Sequence, residues 1–288
     1  GFKGPRHITR RHTASVGLSM IRYGILIWVA IWAHPSTVAA DLDWNNLTMG
    51  GTSRIIQIID GDTVVLNPPI NGATEVRLVG IQAPKLALGR TGFQAWPLGE
   101  ESKAALSALA LGKDVTLFFG GRKMDRHSRL LAHLKTSDGV WLQGRMLRSG
   151  MARVYSFADN RSEVAALLEQ ESLARVAGEG IWSHPFYAIR TPDTVGAFIG
   201  RYELIEGTVL DTAHVKGRTY LNFGEDWRQD FTVTVQKKAH GLFEKAGIDL
   251  LALKGRNIRV RGWVKSYNGP SINLTHPERL EILDIAQP

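Results

Sequence analysis

The sequence contains no cysteine. That excludes disulfides, thiolate zinc sites and thiol nucleophiles together, so hydrophobic cores must hold the fold. Acids are missing from the first 40 positions, which carry Lys3, Arg6, Arg10, Arg11 and Arg22. Long apolar runs are scarce too. The run from Tyr23 to Ala33 spans 11 residues, short of the roughly 20 that cross a bilayer, which argues against a membrane anchor. A basic flank, a short apolar core and Val38-Ala39-Ala40 before Asp41 instead predict a secretory signal over residues 1–40, cleaved after Ala40. Met20 offers a start inside that segment, and Arg10-Arg11 gives it a weak twin-arginine character. The expectation is export, secreted or periplasmic, with no stable membrane association after processing.

A strong charge imbalance is also lacking. The formal charge is +8, but the leader's five cations leave 30 basic residues against 27 acidic ones. Global charge therefore cannot identify a partner, and only local clusters can argue for phosphate binding. Hydrophobic residues at 44% and charged residues at 22% fit ordinary globular composition, and 288 residues suit two domains. Oligomeric state is not legible in these quantities.

What is present is β-rich. The run RIIQIIDGDTVVLN breaks into two strands around Asp60-Gly61-Asp62, a turn signal. Glu75 to Ile81 reads as the next strand, followed by a Gly- and Pro-rich loop and a helix from Leu98 to Leu111 closed by Gly112. Val115 to Phe119 and Leu130 to Lys135 read as strands, and Trp141 to Arg148 and Ser162 to Ala177 as helices. This is the pattern of a small barrel overlaid by helices, mainly β with helices (α+β). The pattern restarts near Thr191-Pro192-Asp193, giving expected domains at 41–190 and 200–288. In the second, five short strands interrupted by one helix, about Gly241 to Leu253, suit a C-terminal five-stranded OB-like barrel.

Three groups in the first domain could carry chemistry. Asp60 and Asp62 flank a glycine at a strand turn, which suits oxygen ligation of a hard cation. Arg77 lies on the following strand, and Arg129 closes Asp125-Arg126-His127-Ser128-Arg129. Two guanidiniums near a carboxylate-held cation suit phosphodiester cleavage, whose transition state gathers charge on phosphoryl oxygens. Singly each feature is weak: such a turn is more often only a turn, and a strand arginine more often a solvated face.

The motifs IDGDTVVL, VRLVGIQAP, DRHSRLLAHL, LRSGMARVY and GIW, in this order between Arg54 and Trp182, resemble the thermonuclease (staphylococcal nuclease-like) family. The resemblance implies a five-stranded OB barrel with three helices, calcium as cofactor and a nuclease active on nucleic acid. It places Asp62 as the first calcium-ligand aspartate and Asp60 as its acidic neighbour. Arg77 and Arg129 match the arginines that bind the scissile phosphate, and Tyr155 falls near the tyrosines of the nucleotide-binding wall.

One stretch departs from the family pattern. Where it has Asp-Thr-Pro-Glu, this chain reads Gln82-Ala83-Pro84-Lys85. Gln82 takes the place of the second metal ligand and can offer only a neutral carbonyl. Lys85 takes the place of the catalytic glutamate, and an ammonium accepts no proton unless its pKa falls far below about 10.4. The two replacements add three positive charges, more than a calcium ion brings. Lys85 could then stand in for the cation, held by Asp62 and Asp60 in a metal-free phosphate cradle with Arg77 and Arg129. The alternative is a solvated Lys85 beside a decayed site. No general base is evident: Glu100 and Glu101 start a helix, where acids complement the dipole, and His127 stands alone.

The second domain has its own signal in NIRVRGWVK, where Arg259, Arg261, Trp263 and Lys265 alternate with apolar residues and share one strand face. A basic face bearing an aromatic suits single-stranded nucleic acid; a solvated face is the equal alternative. Two functions stay open: a calcium-assisted nuclease, and a module that grips nucleic-acid phosphates without cutting.

Overall fold

The computed structural model describes residues 42–284; the predicted leader lies outside the described residues. Its architecture is α+β, as the strand and helix pattern leads one to expect.

The first domain is built on β1 (Thr48–Asp60), β2 (Thr63–Ile70), β3 (Ala73–Leu78), the two-residue β4 (Ile81–Gln82), α1 (Gly99–Ala110), β5 (Asp114–Phe119), β6 (Leu130–Thr136), α2 (Leu142–Arg148), β7 (Arg153–Val154) and α3 (Val164–Ala177). Five strands close a barrel in the order β1-β2-β3-β6-β5, with β3 and β6 parallel and the other pairs antiparallel. Alternation drives this closure. Val64 and Leu66, Val115 and Leu117, and Leu130, Ala132 and Leu134 all point inward and are buried. Long β1 pairs with both β2 and β5, and three register shifts along it let it bend round the barrel. One lies at Gly51, whose φ of +108° favours glycine. Helix α1 buries Ser102, Leu106 and Ala110, four residues apart on one face, while Glu100 and Glu101 occupy its first turn.

Three short helical turns lead through residues 180–198 to the second β domain. It contains β8 (Tyr202–Thr208), β9 (Asp211–Val215), β10 (Arg218–Asn222), β11 (Thr232–Gln236), α4 (Lys237–Lys245), β12 (Asn257–Trp263), β13 (Lys265–Ser266), β14 (Pro270–Leu274) and β15 (Leu280–Ile282). Here the expected single barrel is two sheets around one core: β13-β14-β11-β10-β9 and β15-β12-β8. The chain breaks pairing between β8 and β9 and again between β12 and β13, so two bent strands each serve both sheets. The parallel pair β11–β14 occupies the place that β3–β6 has in the first barrel. Leu221, Val233, Val235, Phe243, Ile258, Val260 and Ile272 fill the core. The helix starts at Lys237, earlier than its sequence pattern suggests, and stops at Lys245 because Gly247 turns left-handed at φ +71°.

The described residues fall in one compact unit, and the two β domains meet through buried charge. Arg261, fully buried on β12, donates to both carboxylate oxygens of Glu171 on α3 (3.0 and 2.9 Å) and to Glu281 (2.6 Å). Arg175 also reaches Glu171 at 2.6 Å, and Arg259 bridges Glu206 and Glu281 at 2.6 and 2.8 Å. Beside them Arg161 forks onto Glu278, and the buried His276 ring lies 2.7 Å from Ser156 Oγ. Arg259 and Arg261 are therefore not part of an exposed basic face. Period two holds along β12, but its polar side faces α3 and β15 rather than solvent. The pairing acids Glu171, Glu206 and Glu281 lie 53 to 90 residues or about 20 residues away in sequence.

Candidate nucleic-acid interface

The turn joining β1 to β2 is packed tightly against the rest of the barrel. A Cβ on Gly61 would stand 1.9 Å from Ser102 Oγ and 2.7 Å from Ala83 Cβ, so the residue between the two aspartates must lack a side chain. Asp60 Oδ1 accepts from the Asp62 N–H at 3.0 Å, which folds the turn. Asp62 is thereby delivered, fully buried, to the start of the Gln82–Lys85 segment.

Its carboxylate is saturated. Asp62 Oδ2 accepts from the Ala83 N–H at 2.7 Å and from Lys85 Nζ at 3.0 Å, and it lies 3.1 Å from Arg77 Nη2. Thr63 Oγ1 donates to Oδ1 at 3.2 Å. Burial alone would raise the Asp62 pKa, but the Arg77 and Lys85 charges and the Ala83 N–H outweigh it and hold it at about 2. Asp60 moves the other way: burial and the neighbouring Asp62 charge push it up. Burial lowers the Lys85 pKa, and Asp62 only partly opposes that. Lys85 thus sits on Asp62, as a stand-in for a cation would, while Asp60 contributes charge rather than a bond to it.

Arg77 is committed to the same knot. Besides Asp62 Oδ2 it donates to the carbonyls of Ile81 (2.7 Å), Leu78 (3.0 Å) and Asp62 (3.3 Å), and only 12% of its side chain is exposed. Arg129 is more open and pairs with Asp125 at 2.7 Å. The Asp125 carboxyl is held low against its burial by the Arg129 and His127 N–H groups and the Arg129 guanidinium.

Gln82, a weak or lost metal ligand by the family pattern, lines the neighbouring cavity with its carbonyl already engaged. Its Oε1 accepts two bonds from the buried Arg153, at 3.0 and 2.8 Å. The cause is strand pairing: β4 pairs with β7, setting Gln82 opposite Arg153. Arg153, whose ring neighbours include Tyr202 at 4.9 Å, needs a buried acceptor, and the glutamine carbonyl supplies it.

A cavity of about 730 Å³ opens beside this knot. Its lining brings together Arg77, Lys85, Arg129 and Tyr155 from the sequence expectation, and Trp263 from the second domain. Lys265 stays exposed on β13 and does not line it. Sequence reasoning missed Arg90, Arg122, Arg126 and Phe157, which also line it. The arginine density of GGRKMDRHSR was the available signal for two of them. Six cationic side chains against Asp125 and Asp159 give this lining a net of four positive charges. Among the described residues Arg126 has no acid partner, and its Nε bonds His127 at 3.0 Å.

The family model for staphylococcal nuclease homologues matches residues 75–184. An "uncharacterized endonuclease" of Escherichia coli O157:H7 is 31% identical over 140 residues, covering 49% of this chain and 82% of that protein. The chain belongs to the staphylococcal nuclease family. A similarly described endonuclease of Haemophilus influenzae is 31% identical over 133 residues, or 46% of this chain and 66% of that protein. A "probable staphylococcal-like nuclease" of rice, Oryza sativa subsp. japonica, is 32% identical over 108 residues, or 38% and 28%. The family match stops at residue 184, before the second β domain.

Calcium, which membership of the nuclease family implies, does not fit these residues. Asp62 has both oxygens taken, an ammonium occupies the approach, and Gln82 is turned to Arg153. Among the described residues no cluster of three or more His, Asp or Glu side chains could hold a metal ion.

Proposed function

We propose that this nuclease-family chain grips the phosphates of single-stranded nucleic acid in a metal-free cationic cleft, with phosphodiester cleavage weak or absent. The observation that carries the reading is Lys85 Nζ at 3.0 Å from Asp62 Oδ2, at the lip of a cavity with four excess positive charges. An ammonium there supplies fixed charge to a phosphate and repels a divalent ion from the carboxylate it would need. Arg126 and Arg129 contribute further charge, and Arg77 orients Asp62 from below. Among the described residues the cleft contains no unpaired carboxylate to orient an attacking water: Asp125 is paired with Arg129, and Asp159 lies 3.6 Å from Arg122. Export through the residue 1–40 leader completes the proposal, and intact-mass analysis of exported protein beginning at Asp41 is the expected outcome.

The endonuclease names of the relatives favour a second reading, calcium-dependent cleavage by this chain too. A titration of labelled single-stranded DNA, with calcium and with EDTA, separates the two. Equal affinity in both buffers with intact strands supports the binding reading; calcium-dependent cleavage overturns it.

A further inference from the structure

We propose that the second β domain completes the cleft, with Trp263 serving as a platform on which a base of the bound strand stacks. This deepens the nucleic-acid reading above and rests on it.

Trp263 ends β12, the strand whose Arg261 is locked to Glu171 of the first domain and to Glu281. That lock fixes the ring at the cavity. Its Nε1 donates to Tyr155 Oη across the domain boundary at 2.9 Å, and it meets Tyr202 edge-on at 6.1 Å with an interplanar angle of 74°. Tyr155 in turn packs on Tyr202 at 4.7 Å and on Phe157 at 5.0 Å. A contiguous aromatic patch therefore spans both domains, and Tyr155, Phe157 and Trp263 all line the cavity that holds Lys85, Arg126 and Arg129. Trp263 remains 40% exposed and Phe157 44%.

Charge for phosphates and ring faces for bases, within one cavity, are the two requirements of single-strand binding. A duplex hides its base faces in the stack, so the aromatic patch selects against it. The Trp263 N–H is already satisfied by Tyr155, so the ring asks no hydrogen bond of its ligand. It therefore accepts any base by its π-face, and the site tolerates sequence.

The test measures anisotropy of a labelled single-stranded DNA and an abasic strand of equal length, in EDTA, against the full chain. Wild type should bind the base-bearing strand more tightly. Trp263→Ala should weaken that strand roughly 5- to 150-fold and leave the abasic strand unchanged, while Trp263→Phe, which keeps a ring, should retain most of the affinity. Arg126→Ala should weaken both strands alike. Equal wild-type affinity for the two strands, or unchanged affinity in a folded Trp263→Ala, overturns the platform while leaving the phosphate cleft standing. Failure of wild type to bind either strand overturns the underlying nucleic-acid reading as well.

Discussion

Strands β3 and β12 both carry arginine on an alternating strand, yet the two arginines meet different surroundings. Arg77 on β3 lies at the barrel mouth, tied to Asp62 and three carbonyls, and keeps an edge on the cavity. Arg261 on β12 is sealed between the domains with two glutamates as partners. Burial by itself lowers the Arg261 pKa, and the Glu171 and Glu281 charges more than reverse it. The comparison teaches that a basic strand face says nothing about its ligand until the elements packed over it are known. Open, it serves a partner; covered, it serves the fold, and only the last residue of β12 escapes to the cleft.

Breaking the covered side should have the largest effect. Glu171→Ala strands Arg261 and Arg175 without their shared acceptor and should cost about 3–5 kcal/mol in urea unfolding. Replacing both Glu171 and Arg261 by leucine should recover much of that loss. A Glu171→Ala protein of unchanged stability but weakened DNA binding would instead put Arg261 among the ligand contacts.

Acid should act next, on the boundary through His276 and on the first barrel through His133. Burial lowers His276 to about 3, with the Arg279 and Arg161 charges adding to it, and burial lowers His133 to about 4. Each stays neutral in the fold while the unfolded chain takes up a proton below its ordinary pKa near 6.5. Stability should therefore be complete above about pH 6.5 and fall towards about pH 4 for His133 and about pH 3 for His276, by up to roughly 1.4 kcal/mol per pH unit for each histidine. Thermal melts across this window check it, and His276→Gln should flatten part of the slope. A flat profile in wild type removes both histidines as sources.

On the open side, Lys85→Glu should give calcium a measurable heat of binding in calorimetry, because it removes the ammonium from Asp62 and puts a negative charge in its place. Gln82→Asp alone should give none, since its carboxylate would meet Arg153. Calcium heat from Gln82→Asp alone would show that the residue can leave Arg153.

The smallest effect is expected at Arg126. Arg126→Ala should reduce the slope of log affinity against log salt by about 0.7, one phosphate contact on a single strand, without changing stability. An unchanged slope would remove Arg126 from the phosphate contacts.

The barrel was legible because each of its strands alternates and its turns carry Asp-Gly-Asp or Ser-Asp-Gly signals. Asp62, Lys85, Arg129 and Tyr155 were legible from motif order, and all but the buried Asp62 line one cavity, where Trp263 joins them from the second domain. The partner of Gln82 was not legible because a chain position shows which residue stands there, not which way its amide turns. Its orientation follows from Arg153, 71 residues away and paired to it through β4 and β7.

The sequence by itself determined what depends on near neighbours: the strand period, the helix ends set by glycine, the Asp-Gly-Asp turn and the exchange of two acidic family positions for Gln82 and Lys85. Tertiary structure decided which charges remain free. Coulomb attraction and burial act between side chains brought together from distant segments, such as Glu171 and Arg261, 90 residues apart. Only the packing of α3 against β12 could convert a basic strand into a domain lock and leave Trp263 beside the phosphate cleft.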